Sequence, residues 1–387
     1  MVRCGMSRHH KTTKEGSLIV NMIAGKAEIG KFFFRYGFQK LLSSVPQRRL
    51  GDMLIGLALK GNQSRTTDFA ELGQCCRTTY GYFLSTGKWD EAKVSEKQRQ
   101  EEFQTVSQLA AECGTPIYLS IDDTVVEKKK PSSKAKHPME GTGWHYSHLE
   151  RKQVFGYQIF GAHINTGNTA LCYELRRCCP KNGSKIDTSV QLLDNLPETN
   201  VPIIALMDSW YTCQRLWDKV MEKGLTMIGA LKSNRILYPN GKRCPASKYA
   251  ASLPNGQYHL VKVGGHEYWV HRYEGTLNGI GHAAVLLSYP KNSFKNELAL
   301  RLFLCSDTDF SDEKILSHYT RRWKIEVMFK QHKMYLGLKS FMVRSAKAID
   351  RLLVLLTLAH FFFLSLSAFR VPLSTGIHLF RELLCIF

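Results

Sequence analysis

The sequence predicts an α/β protein: a mixed sheet carrying helices, interrupted by a β-rich block and preceded by a helical N-terminal region. Three observations lead there. Apolar and basic residues recur at near-helical period through residues 1–105. Short apolar runs then alternate with amphipathic stretches across 106–232, and 233–309 reads as strand without an obvious helix. Helical spacing returns over 310–387. The expected units are therefore a helical domain over 1–105, a core split between 106–232 and 310–387, and an insertion over 233–309.

A chain of 387 residues suits two or three domains with ample buried core. With 44% hydrophobic and 22% charged residues it matches an ordinary globular composition. Its charge is less ordinary: 53 Lys and Arg against 33 Asp and Glu give +20, which points to a polyanionic partner, nucleic acid before membrane. The eleven cysteines form no C-x-x-C pair, so a disulfide frame or zinc site is not expected and reduced, cytoplasmic thiols are. "MVRCGMSRHHKTTKEGS" at the start lacks the apolar stretch of a signal peptide. "LLVLLTLAHFFFLSLSAF", Leu352 to Phe369, is nearly long enough to span a bilayer. A helix buried on all sides has the same composition and is the expectation here, with no membrane partner.

"FFFRYGFQKLLSSV" and "RRLGDMLIGLALKG" are helical in pattern. "TTDFAELGQCCRTTYGYFLSTGKW" predicts two short helices about a tight turn, with Thr67 or Asp68 capping the first and Thr78 or Thr79 the second. Such a pair is compatible with a helix-turn-helix on duplex DNA. Lys93 to Gln104 reads as a solvated helix or linker at a boundary.

Strands follow at Pro116–Asp123, Val154–Ile164 and Thr169–Leu175, the last two joined by the turn "NTGN". A helix over Asp187–Leu196, a buried strand over Val201–Asp208, a helix over Tyr211–Gly224 and a strand over Thr226–Leu231 complete the series. In the insertion, "HLVKVGGHEYWVHRYEG" predicts a hairpin turning at Gly264 and Gly265. A helix capped by Ser311 closes the insertion. Three strands, a helix and a strand, in that order, are what a ribonuclease H-like mixed sheet requires, and that architecture sets strands one and four side by side.

Asp122 and Asp208 then approach each other from element ends 86 residues apart, and the late helix brings Glu326 to them. Three clustered carboxylates repel one another and resist desolvation unless a cation sits among them. Oxygen-rich sites select Mg²⁺, for which Mn²⁺ can substitute. Asp123 is the alternative first ligand. Strand alternation sends it to the face opposite Asp122, and Asp122 is preferred because it shares a face with Tyr118 and Ser120. On the helix, Tyr319, Arg322, Glu326 and Lys333 fall within about 60° of one another at roughly 100° per residue. The same glutamate lies four residues from both Arg322 and Lys330, so a simple i,i+4 ion pair is its plainer reading.

"YTRRWKIEVMFKQHK" carries the spacing Y-x2-R-x3-E-x6-K and resembles the signature of a large group of bacterial insertion-sequence DDE transposases. "IDDT" and "MDSWY" look like that group's two aspartate motifs, and the similarity covers about residues 115 to 370. The resemblance implies that Asp122, Asp208 and Glu326 bind the catalytic metal, and that Tyr319, Arg322 and Lys333 grip phosphates near the transposon end. Lys330 is a further cation on that helix. It implies double-stranded DNA partners, namely terminal inverted repeats and target, and an assembly at the bacterial nucleoid as a homodimer. Little more than 50 residues follow Lys333, which leaves scant room for a separate dimerisation domain. A nuclease on the same core without strand transfer, and a catalytically silent DNA binder, are the alternatives.

Two weaker signals remain. Val125 to Lys152 reads as a basic loop whose Trp144 or Tyr146 could stack on a base. Within it, His145 and His148 have no nearby cysteine and do not predict a zinc site. Trp269, beside Tyr268 in the insertion hairpin, could stack on an unpaired base near the cleaved end.

Overall fold

The computed structural model describes residues 23–147, 151–179 and 183–384. Its spine is one mixed sheet. The first strand, β1 (Ile117–Glu127), runs antiparallel to β3 (Lys152–Thr166), which pairs on its outer side with β2 (Gly143–Ser147) and with β4 (Thr169–Arg177). On its inner side β1 lies parallel to β5 (Ile203–Met207), and β5 lies parallel to β6 (Thr226–Leu231). Strand one is thus the direct neighbour of the strand that leads into Asp208, as the element order predicted.

The insertion does not stand apart. Its strands are β7 (Ile236–Leu237), β8 (Cys244–Pro245), β9 (His259–Val263), β10 (His266–Leu277), β11 (Ile280–Pro290) and β12 (Arg301–Cys305). Through β12, which pairs antiparallel to β6, they extend the same sheet in the order β6-β12-β11-β10-β7-β8. The hairpin turns at Gly264 and Gly265, at φ 56° and 82°, a left-handed conformation that glycine adopts without steric cost. Contrary to expectation the block also holds a helix, α8 (Ala246–Ser252), in which "ASKYAAS" follows Pro245 and buries Ala246 and Ala250.

Among the described residues five α-helices precede the sheet: α1 (residues 23–35), α2 (Ser44–Lys60), α3 (Thr66–Leu72), α4 (Arg77–Ser85) and α5 (Glu91–Cys113). Lys93–Gln104 is no linker: it lies inside α5, which buries Val94, Gln98, Glu102 and Phe103. The pair α3–α4 forms as predicted, but the caps differ. Arg65 precedes α3, its N–H donating to Asp68 Oδ2 at 2.7 Å, and Cys76 precedes α4. Later come α6 (Lys185–Asp194), α7 (Gln214–Glu222), α8 (Ala246–Ser252), α9 (Asp312–Thr320), α10 (Trp323–Tyr335), α11 (Ala346–Ser365) and α12 (Leu373–Leu383).

The apolar segment is α11, and it is the core helix. Among the described residues it alone is long and apolar enough to cross a membrane, yet 83% of its most apolar window is buried inside the molecule. Phe361 and Phe362 pack on Phe32 of α1 at 5.4 and 5.2 Å, and Phe362 packs on Phe380 of α12 at 5.0 Å. Each such ring removed from water contributes about 1.5–3 kcal/mol. Arg351, 1% exposed, is tolerated in this helix because its guanidinium donates to the Phe83, Leu84 and Trp89 carbonyls and to Glu91 Oε2. Phe83 and Leu84 lie in the last turn of α4, whose carbonyls have no partner within the helix. One buried arginine therefore ties the N-terminal helices to the core.

Two further expectations fail. Val125–Lys152 is not all loop: β1 runs on to Glu127, and Gly143–Ser147 pairs with the start of β3. The helix capped by Ser311 is not continuous either. At Arg321–Arg322 it tightens into i→i−3 bonds, Arg321 N–H to His318 O at 3.1 Å and Ile325 N–H to Arg322 O at 3.1 Å, which divides α9 from α10. Arg321 and Lys324 both donate to the Gly167 carbonyl of the β3–β4 turn, at 3.2 and 3.0 Å, and pin this junction to the sheet.

Candidate active site

The site lies where β1 outruns β5. Ile121 pairs with Met207, so the register continued by one residue sets Asp122 beside Asp208, one strand spacing of about 4.8 Å away. Asp208 Oδ1 accepts the N–H groups of Trp210 and Tyr211 at 2.9 and 3.0 Å, which folds the chain sharply after the strand. Thr212 closes the turn by donating its hydroxyl to the Asp208 carbonyl at 2.7 Å.

α10 covers the face that carries Asp122. Its approach is close because Gly161 on β3, directly opposite Asp122, has no side chain: a Cβ there would lie 2.5 Å from the Phe329 ring. Ile325, Met328 and Phe329 are buried beneath the helix, whereas Trp323 is 63% exposed. Glu326 thereby comes over the strand end. Arg322 Nη1 donates to Asp122 Oδ2 at 3.0 Å and Nη2 to Glu326 Oε1 at 2.5 Å, so one guanidinium bridges both carboxylates. The plainer i,i+4 reading of Glu326 thus describes a real contact, and its partner is Arg322, not the exposed Lys330.

The electrostatics identify where charge is crowded. Burial, followed by repulsion from Asp208, pushes the Asp122 carboxyl up to about 6, against the opposing pull of Arg322. Burial likewise pushes Tyr319 up to about 12, with Arg322 acting in the opposite direction and Asp208 and Asp122 adding to the rise. Burial is the largest influence on Arg322 and disfavours its charge, but Tyr319, Asp122 and Glu326 outweigh it and hold the guanidinium more firmly protonated.

Asp123 has a different environment. Its Oδ1 accepts Lys185 Nζ at 2.6 Å and Tyr211 Oη at 3.0 Å, and its Oδ2 accepts Gln158 Nε2 at 2.7 Å. Lys185 and Gln158 escaped the sequence reading because no local pattern marks them; they lie 62 and 35 residues away. Tyr211 was visible in "MDSWY", but only as a motif neighbour.

The remaining candidates divide. Tyr319 and Arg322 join the carboxylates, although the helix break places them before α10 rather than on one continuous stripe. Lys333 reaches β1 instead, donating to Thr124 Oγ1 at 2.7 Å, and burial lowers its pKa. Trp269 lies on β10, five strands from β1, or roughly 24 Å across at the usual strand spacing. It packs on Phe294 at 5.3 Å and is not brought to the carboxylates. His145 is on β2, whereas His148 lies outside the described residues.

Among the described residues no group of three His, Cys, Asp or Glu side chains is close enough to hold an ion as it stands. The donor chemistry nonetheless suits a hard cation: two adjacent carboxylates repel each other, and a guanidinium supplies the positive charge between Asp122 and Glu326. The transposase DDE domain family matches residues 115–362, and the chain belongs to that family, whose members act on DNA and generally use divalent metal ions. No curated protein matches the chain.

Proposed function

We propose that this transposase binds the ends of its element, hydrolyses a phosphodiester to free a 3′-hydroxyl, and directs that hydroxyl at a phosphodiester of target DNA. The observation that carries this reading is the arrival at one sheet end of Asp122, Asp208 and the Arg322–Glu326 pair from three separate parts of the chain. Asp122, Asp208 and Glu326 would hold Mg²⁺, or Mn²⁺ in its place. Bound there, such ions would supply Lewis-acid activation to an attacking oxygen and charge stabilisation to a leaving one. Both steps are in-line displacements at phosphorus in which only the nucleophile changes, so one site serves both.

The chain's own residues set the rest. Arg322 offers a fork for phosphate oxygens, and Tyr319 lies beside it; Lys333 and Lys330 extend the cationic ridge along α10. Asp123 positions rather than binds, because its oxygens are already committed to Lys185, Tyr211 and Gln158. The order of β1, β3 and β5 supports a ribonuclease H-like core. The helical region before it, with Arg77, Thr78 and Tyr82 exposed on α4, would recognise the terminal inverted repeats, in a homodimer at the bacterial nucleoid.

The deciding experiment cleaves the element's own flanked ends with wild type and Asp208→Ala. Loss of cleavage with end binding intact supports the reading, and retained cleavage refutes it. Joining of pre-cleaved ends to a plasmid separates a transposase from a nuclease without strand transfer. The pairing of Arg322 with both carboxylates favours one rival, a catalytically silent DNA binder. Wild-type protein that shows no Mn²⁺-dependent cleavage would establish that rival.

A further inference from the structure

Beyond the carboxylates, the segment between β1 and β3 forms a built surface. Along β2, Trp144 and Tyr146 are 59% and 49% exposed, while His145 between them is half-buried. The register explains the alternation. Glu127, Gly156 and Gly143 stand opposite one another across β1, β3 and β2, so Gly143 and His145 share the face of Asp123, and Trp144 and Tyr146 share the face of Asp122. His145 accordingly lies within electrostatic reach of Asp123 and Lys185.

The connection from β1 to β2 is anchored rather than loose. Lys128, buried, donates to the Lys339 and Phe341 carbonyls at 2.9 and 2.6 Å and lies 3.8 Å from the Phe341 ring centroid. At the far end Glu140 accepts the N–H of Ala346 at 2.8 Å and donates its own N–H to the Arg344 carbonyl at 2.9 Å. Both ends are thus tied to the chain that follows α10. Between them Lys129, Lys130, Lys134 and Lys136 are exposed, with no ion pair among the described residues. Lys130 Nζ lies 5.6 Å from the Trp144 ring centroid, and that ring is propped edge-on against Phe155 at 5.7 Å.

We propose that Trp144 and Tyr146, flanked by these lysines, form a stacking platform for an unpaired stretch of DNA on the same sheet face as Asp122. Two rings at alternate positions of one strand stand roughly 6.8 Å apart and present flat surfaces to successive bases. The lysines supply the charge that follows a phosphate backbone. An apolar protein partner would have no use for four unpaired cations, which is why a nucleic-acid strand fits this surface. Placed roughly 20 Å along β1 from Asp122, the platform would hold a strand several nucleotides from the reacting phosphate. The assignment of the strand to the element's own DNA rests on the proposed function.

The test compares an end duplex bearing a single-stranded tail with a blunt duplex of the same paired length, measured by fluorescence anisotropy. Trp144→Ala combined with Tyr146→Ala should weaken binding of the tailed duplex about tenfold or more, and of the blunt duplex less than about twofold. The variant Trp144→Phe should keep most of the preference. Equal losses on both substrates, no loss on either, or a preference for a ribonucleotide tail would overturn the platform. Asp208→Ala run alongside keeps the two readings apart: if it still cleaves, the proposed chemistry falls while the tail preference stands on its own.

Discussion

Asp122 and Asp123 are consecutive residues of one strand, yet the two faces of β1 treat them in opposite ways. On one face Asp123 accepts three hydrogen bonds from Lys185, Tyr211 and Gln158, and its charge is matched by a lysine 2.6 Å away. On the other face Asp122, half-buried, lies beside a second carboxylate and shares a single arginine with Glu326. The first arrangement is complete in itself. The second has more negative charge than the protein neutralises, which is the condition under which an external cation binds. Type and sequence position do not distinguish these aspartates; the partners delivered by tertiary structure do.

The largest effect should separate the two in catalysis. If Asp122 holds the metal as proposed, its loss removes several kcal/mol of charge stabilisation, so Asp122→Asn should lower end cleavage about a thousandfold at 1.36 kcal/mol per tenfold. Asp123→Asn should lower it less than about tenfold, and comparable losses in a cleavage assay would break the comparison. Stability should show the reverse. Asp123→Ala leaves Lys185 charged, only 17% exposed and without its acceptor, at a cost of about 3 kcal/mol in urea unfolding. Asp208→Ala should stay within about 1 kcal/mol of wild type in the same experiment.

A third measurement probes the shared arginine. Without DNA, Arg322→Ala should bind Mn²⁺ about tenfold more tightly than wild type, or about 1.4 kcal/mol, read by electron paramagnetic resonance titration. Weaker binding would show that Arg322 assists the cation instead of standing in its place. A further effect, small for each residue, lies beneath α10. His163, His332 and His360 are fully buried there, with His332 and His360 stacked at 5.0 Å. Burial lowers His163 to about 3 and His332 to about 4, and holds His360 well below its usual value. The folded state keeps these rings neutral while the unfolded chain protonates near pH 6.5. Stability is therefore full above that pH and is lost as pH falls toward 4. Between pH 7 and 6 the loss should be about 0.7 kcal/mol per histidine, followed by denaturant midpoints; a flat profile would deny the neutral stack.

Much of this was legible in the sequence where local rules act. The strand that carries Asp122, the strand end before Asp208, the turn at Gly264–Gly265, the Ser311 cap and the apolar character of α11 all follow from patterning within a few residues, although β1 runs on to Glu127 rather than ending at the aspartates. What was missed depends on distant contacts. The helix break at Arg321–Arg322 is pinned by the Gly167 carbonyl, 154 residues earlier, and no local breaker marks it. β2 exists only because β3 offers an edge to its five residues. Trp269 was plausible as a hairpin aromatic, but its distance from the site is set by β11 and β12, which lie between β10 and β6. The choice between Asp122 and Asp123 was open on alternation alone, and the donors on each face distinguish their surroundings.

The joint between β6 and β12 has a consequence for anyone trimming the molecule. Backbone bonds from Ile228 to Leu231 are satisfied by β12, and Met227, Ile228, Gly229 and Leu231 are buried. Excising 233–305 would strip that partner and leave a bare, apolar edge, the template on which other chains assemble. A shortened protein of this kind should precipitate rather than persist as a minimal nuclease, so the added strands act as a seal as well as an ornament.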